Sequence, residues 1–135
     1  MKLLLDTNVL VYDTVEDSEH HNEAVGIIDK AEEIILPSIV IHEYVWVMLK
    51  VIQASPSFII LKLHEYLEDP RTIYLLEPVS VLTSALKMLE EDREEVKEVN
   101  DYVVLAVATY CKSMLATFDR KLQERALRRG LKVIP

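Results

Sequence analysis

A three-layer α/β/α fold around a mostly parallel five-stranded sheet is what this sequence predicts, and three observations carry the prediction. Short apolar or β-branched runs, such as LLL after Lys2 and MLAT from Met114, alternate with longer segments of helical periodicity. Strands separated by helices imply right-handed βαβ crossovers, and hence parallel strands covered on both faces. Finally, the chain contains no internal repeat, low-complexity tract or linker, so residues 1–135 read as a single domain with one core.

The elements follow in order. Lys2 to Leu5 reads as a buried strand ending at Asp6, with polar Thr7 and Asn8 behind it. His20 to Glu33 is an amphipathic helix carrying Ala24, Ile27, Ile28 and Ala31 on one face. Ile34 to Leu36 is a short strand stopped by Pro37, after which Ser38 is placed to cap a helix running to about Gln53. That helix is apolar nearly all round, which predicts burial. Pro56 opens another helix to about Leu67, ended by Glu68, Asp69 and Pro70. Thr72 to Leu76 is a third strand. Val79 to about Val99 reads as a helix whose EEDREEVKE stretch is a solvated face. Asn100 is expected to cap a helix reaching about Lys112, and Met114 to Thr117 forms the fourth strand. Arg120 to Arg129 is a helix closed by Gly130 in a left-handed cap, followed by a short fifth strand from Leu131 to Ile134.

Composition excludes several classes. The single cysteine, Cys111, rules out an internal disulfide and a cysteine-rich zinc site, and reads as a small buried apolar residue. Such usage suits a reducing cytoplasm. Asp6 interrupts the opening apolar run before a signal sequence can form, and no segment is apolar for long enough to span a membrane. The expectation is a soluble cytoplasmic protein. Only two glycines, Gly26 and Gly130, are present, so no glycine-rich loop can cradle a nucleotide. The net charge is −8, yet residues 119–135 hold a local excess of positive charge. That segment reads either as a solvated surface helix or as the one place where an otherwise acidic chain accepts nucleic acid. Adjacent His20 and His21 lack the spacing that puts two imidazoles on one helix face, and read as a surface helix start. His42 reads as a satisfied buried histidine.

Four acids stand out against this frame. In a parallel sheet, ligands collect beyond the carboxyl ends of the strands, and both Asp6 and Asp119 lie there. Asp101 sits at the start of a helix, where it also complements the positive helix end. Glu43 interrupts the apolar helix PSIVIHEYVWVMLKVI, where a carboxylate needs a partner or a solvated rim. Oxygen-only ligands with open positions are what Mg²⁺ and Mn²⁺ select.

Together, LLLDTNVLVY, Glu43 in its hydrophobic helix, NDYVVLAVA and LATFDRKL resemble the PIN-domain family of metal-dependent ribonucleases along essentially the whole chain. Within it the compact length is most similar to the toxin subunits of VapBC-type toxin–antitoxin pairs. The resemblance implies that Asp6, Glu43, Asp101 and Asp119 form a catalytic quartet holding one or two Mg²⁺ or Mn²⁺ ions. It implies supporting hydrogen bonds from Asn8 and Thr117, and hydrolysis of RNA to 5′-phosphate and 3′-hydroxyl ends. Arg120 and Lys121, nearest the site, are expected to hold the RNA backbone, while no base-stacking aromatic stands out. A homodimer is expected from the apolar residues around Trp46 and from Phe58 to Leu63, and the VapBC likeness adds an antitoxin.

Other readings compete. A HAD-type phosphatase needs a second aspartate where Asn8 stands, and a phospho-receiver domain needs an acidic pair that Asp6-Thr7 does not supply. A PIN nuclease of RNA processing, outside toxin–antitoxin systems, and a catalytically silent PIN-like interaction module remain as alternatives.

Overall fold

The computed structural model describes residues 1–135. Its centre is a five-stranded sheet in the order β3-β2-β1-β4-β5, with every neighbouring pair parallel. The strands are β1 (Lys2–Leu5), β2 (Glu33–Pro37), β3 (Thr72–Leu75), β4 (Met114–Ala116) and β5 (Val133–Ile134). Seven helices connect them: α1 (Thr7–Thr14), α2 (His21–Lys30), α3 (Ser38–Lys50), α4 (Pro56–Leu67), α5 (Val79–Asp92), α6 (Val99–Cys111) and α7 (Arg120–Arg128). From β1 the chain moves outward to β2 and β3, then crosses back to β4 and β5 on the other side. The strand order therefore reverses between β1 and β4, which is where a ligand crevice belongs.

The core explains why these strands lie where they do. Leu3, Leu4 and Leu5 of β1, Ile34 to Leu36 of β2 and Leu115 and Ala116 of β4 are all buried. Strands covered on both faces carry continuous apolar runs rather than alternation. Residues Tyr102 to Ala108 of α6 are buried without a break, so this helix lies within the core rather than on its surface. At the far end Gly130 adopts φ +79° and the Leu131 amide bonds the Ala126 carbonyl, the expected left-handed closure of α7.

Several local expectations fail, each for a visible reason. The segment after Asp6, to which the sequence assigns no element, is a helix. Asp6 accepts the Thr7 amide at 2.8 Å and caps α1, whose Val9–Val11 run gave no helical signal. Ser38 does not cap α3. It is the first helical residue, and its hydroxyl donates to Glu77, which also accepts the Ile39 amide at 3.1 Å. α5 stops at Asp92 with Arg93 left-handed, and a 3-10 turn over Val96–Glu98 precedes α6. Asn100 consequently lies inside α6, with Glu98 at its cap position.

The EEDREEVKE stretch is not simply solvated either. Asp92 accepts the Tyr102 hydroxyl at 2.7 Å, and Glu94 and Glu98 pair with Arg125. Finally, α3 is only half buried. Val40, Ile41, Tyr44 and Met48 face the core, whereas His42, Glu43 and Trp46 are exposed. His42 is thus not a core histidine.

Candidate active site

Sheet register alone brings the first and last acids together. Leu5 pairs with Ala116 across β1 and β4, and the Asp6 amide donates to the Ala116 carbonyl at 2.9 Å. Asp6 and Asp119 therefore leave adjacent strands at one edge. Glu43 enters on the second turn of α3 and Asp101 on the first turn of α6, and these two helices pack on each other. All four carboxylates line a single cavity of about 240 Å³, together with Thr7, Asn8 and Tyr12.

A hydrogen-bonded web holds two of the acids. The fully buried Thr117 hydroxyl donates to Asp6 Oδ2 at 2.7 Å and accepts the Asp119 amide at 3.1 Å. Asn8 donates from Nδ2 to the same Asp6 oxygen at 3.2 Å and accepts the Phe118 amide at 3.0 Å. Asp119 in turn accepts the Lys121 and Leu122 amides through Oδ1, so it is a helix cap as well as a member of the group. Thr7 is buried behind Asp6, with its hydroxyl toward the Val40 carbonyl at 3.4 Å.

Crowding shows in the protonation of the cluster. Burial lifts the Asp6 carboxyl to about 6; the Thr117 and Thr7 hydrogen bonds oppose that rise, and the charges of Glu43 and Asp119 add to it. Burial, then the charges of Asp6 and Asp119, lift Asp101 to about 6 as well, although Arg125 pulls the other way. Glu43 is raised by partial desolvation at the crevice wall, with the Thr7 hydroxyl opposing and Asp101 reinforcing. Such mutual repulsion is relieved by protons or by a cation.

The donor set fits a hard divalent cation in type and place: four carboxylates at one cavity with no sulfur or imidazole among them. Their side chains are not drawn into a closed coordination shell, since no three acidic, histidine or cysteine side chains converge on one point.

Two features escaped the sequence reading. Arg125 is 1% exposed and donates to Asp101 at 3.1 Å, with Glu94 and Glu98 at 3.3 and 3.5 Å and the Tyr102 ring beneath its guanidinium. Its heptad-like place in a basic, amphipathic segment looks like surface charge; only packing reveals a buried counter-ion. Tyr12 reaches the cavity from α1 and forms a cluster with Phe118 and His20, the three rings 4.6 to 5.2 Å apart with His20 stacked on Phe118.

Half of the basic residues in the last segment are engaged within the chain, Arg125 among them. Lys121 pairs with Glu98 at 2.9 Å, and Arg129 with Asp92 at 3.0 Å. Lys121 and then Arg125 hold the Glu98 carboxyl below the usual range. Arg120 is exposed beside Asp119.

Carboxylates from two adjacent parallel strands and two helices, gathered where strand order reverses, define an α/β domain with an acidic, cation-suited crevice. The profile of the PIN domain matches residues 3–127, and the chain belongs to the PIN-domain family. Among solved structures, the fold is similar to VapC20 of Mycobacterium tuberculosis, a sarcin–ricin-loop-cleaving toxin. That match has a TM-score of 0.77 at 13% identity and covers 91% of this chain and 94% of that one. It is also similar to VapBC2 of Rickettsia felis, solved with a promoter DNA fragment (TM-score 0.68, 19% identity, 98% and 97% covered). FitAcB of Neisseria gonorrhoeae matches with a TM-score of 0.65 at 22% identity, covering 98% and 96%. No curated protein sequence matches significantly.

Proposed function

We propose that this protein is a metal-dependent endoribonuclease and the toxin of a toxin–antitoxin pair. The observation that carries the nuclease reading is the convergence of Asp6, Glu43, Asp101 and Asp119 on one cavity at the reversal point of the sheet. Asp6, Asp101 and Asp119 hold one or two Mg²⁺ or Mn²⁺ ions, with Glu43 as a further ligand or as the group that orients the attacking water. When bound, the ions supply Lewis acidity for phosphodiester hydrolysis. The protein's own contribution is placement. Thr117 and Asn8 both donate to Asp6 Oδ2 and the Thr7 amide holds Oδ1, which fixes the carboxylate and leaves Oδ1 the freer oxygen for an ion. The Lys121 and Leu122 amides hold Asp119 in the same way. Arg120, and Lys121 where it exchanges Glu98 for phosphate, receive the RNA backbone. The family likeness supports products with 5′-phosphate and 3′-hydroxyl ends.

The toxin assignment is supported by likeness in fold to VapC20, VapBC2 and FitAcB. It also draws support from exposed apolar side chains that a solitary surface does not need. Leu49, Val51 and Ile52 at the end of α3 join Phe58, Ile60 and Leu61 of α4. These accept an antitoxin, and the chain forms a homodimer in the cytoplasm. No helix is long and apolar enough to cross a membrane.

The test is thermal unfolding against Mn²⁺ concentration together with RNA cleavage, in wild type and Asp101→Asn. The ion should raise the wild-type melting temperature by mass action. The variant should lose both that rise and cleavage while keeping its circular dichroism spectrum. Full cleavage by the variant would sink the assignment. A monomer in light scattering at micromolar concentration would remove the dimer.

A further inference from the structure

Beside the acidic cavity lies a second one of about 490 Å³, lined by Ile39, His42, Glu43, Trp46, Val47 and Asn100. Glu43 and Val47 line both, so the two cavities adjoin across these side chains. Five of the six residues come from α3 at positions i, i+3, i+4, i+7 and i+8, a complete helical stripe. The core is served mainly by a different stripe, Val40, Ile41, Tyr44 and Met48, and of this one only Ile39 packs against it.

Its composition is that of a site rather than of a solvated face. Trp46 leaves 59% of its surface exposed and Ile39 and Val47 flank it, which gives an aromatic platform with apolar walls. Exposed His42 shares the face of Trp46 one turn away, and exposed Asn100 faces it from α6. An amide with both donors and an acceptor beside an indole plane matches what unpaired bases require: stacking, plus hydrogen bonds to the base edge. The volume falls in the range of about 300–1,000 Å³ usual for small-ligand sites.

We propose that this cavity is a nucleobase subsite. A nucleotide next to the scissile phosphate stacks its base on Trp46 and presents its polar edge to Asn100 and His42. The inference rests on the nuclease reading, and it specifies single-stranded RNA as the substrate at this point, because a paired base could not enter. It also explains how a chain of net charge −8 holds RNA although Lys121, Arg125 and Arg129, half of the basic residues of its last segment, are paired within the chain. Stacking does not depend on charge.

Trp46 is the only tryptophan, so its emission reports this cavity alone. Using the wild-type protein in Mg²⁺ with hydrolysis-resistant phosphorothioate-linked RNA, a fluorescein-labelled six-nucleotide strand would be followed by anisotropy, and an unlabelled strand by Trp46 emission. An abasic ribose-phosphate oligomer serves as control. Saturable quenching by base-bearing RNA, absent with the abasic oligomer, is the expected result. Trp46→Ala should weaken binding at least about 5-fold, with Trp46→Phe recovering most of it.

RNA binding with unchanged Trp46 emission and an unchanged affinity in Trp46→Ala overturns the subsite while leaving the nuclease reading standing. An absence of anisotropy change with any RNA removes both. If Trp46→Ala instead converts a dimer to a monomer and leaves RNA affinity intact, the stripe is a contact between copies, and the subsite is overturned.

Discussion

Thr117 joins the first acid to the last through one hydroxyl, donating to Asp6 and accepting from the Asp119 amide. Thr117→Val keeps the shape and removes both bonds, together with the one Thr117 accepts from Asn8 at 3.2 Å, leaving the Asp6 carboxylate and the Asp119 amide each short of a partner. We expect a loss of about 2 kcal/mol in urea unfolding, together with a fall in cleavage. Thr117→Ser should recover both. Equal stability of the valine variant would show that Asn8 alone suffices to hold Asp6. At this scale the acids themselves were legible in the sequence. Asp6 and Asp119 follow apolar runs short enough to be strands, so both had to reach a strand's carboxyl end. Glu43 was placed only by its order along the chain, because its helix gave no sign of which side faces the core. Arg125 was not legible at all, since an arginine among arginines carries no mark of being buried.

Elements were read well where punctuation exists and poorly where it does not. Pro37, Pro56, Pro78 and Gly130 mark real boundaries within a residue or two. α1 was missed because β-branched Val9 and Val11 hid a helix that begins on an Asp6 cap. α3 shows the reverse error: being apolar all round predicted burial, whereas it carries two stripes with different duties. Gly130 gives a prediction of its own. A Cβ built there meets nothing within 4 Å, so an alanine would be penalised only by its backbone at φ +79°. Gly130→Ala should cost about 1 kcal/mol in chemical denaturation, and Gly130→Asn less. A loss several times larger would mean that closure of α7 also governs the Arg125 contacts.

The whole molecule should be most stable, without divalent ions, on the acid side of neutrality. Asp6 and Asp101 titrate near 6 when folded, against an ordinary value of 3.8. Between these values the folded chain binds more protons than the unfolded one, so stability falls as pH rises through this window. Allowing for partial exposure, the two groups together should contribute about 2 kcal/mol. In EDTA the melting temperature should therefore drop from pH 5 to pH 7, and saturating Mg²⁺ should flatten the slope. A flat profile in EDTA would mean that the cluster is not crowded in solution. The fold as a whole was legible because alternating strands and helices admit few parallel arrangements; the direction of each helix face was not, because it depends on what packs beyond it. Strand order has one more outcome. β1 is the central strand and emerges first, yet its neighbour β4 begins at Met114, and the four acids are spread from residue 6 to residue 119. The crevice therefore cannot form on a nascent chain until Asp119 has left the ribosome.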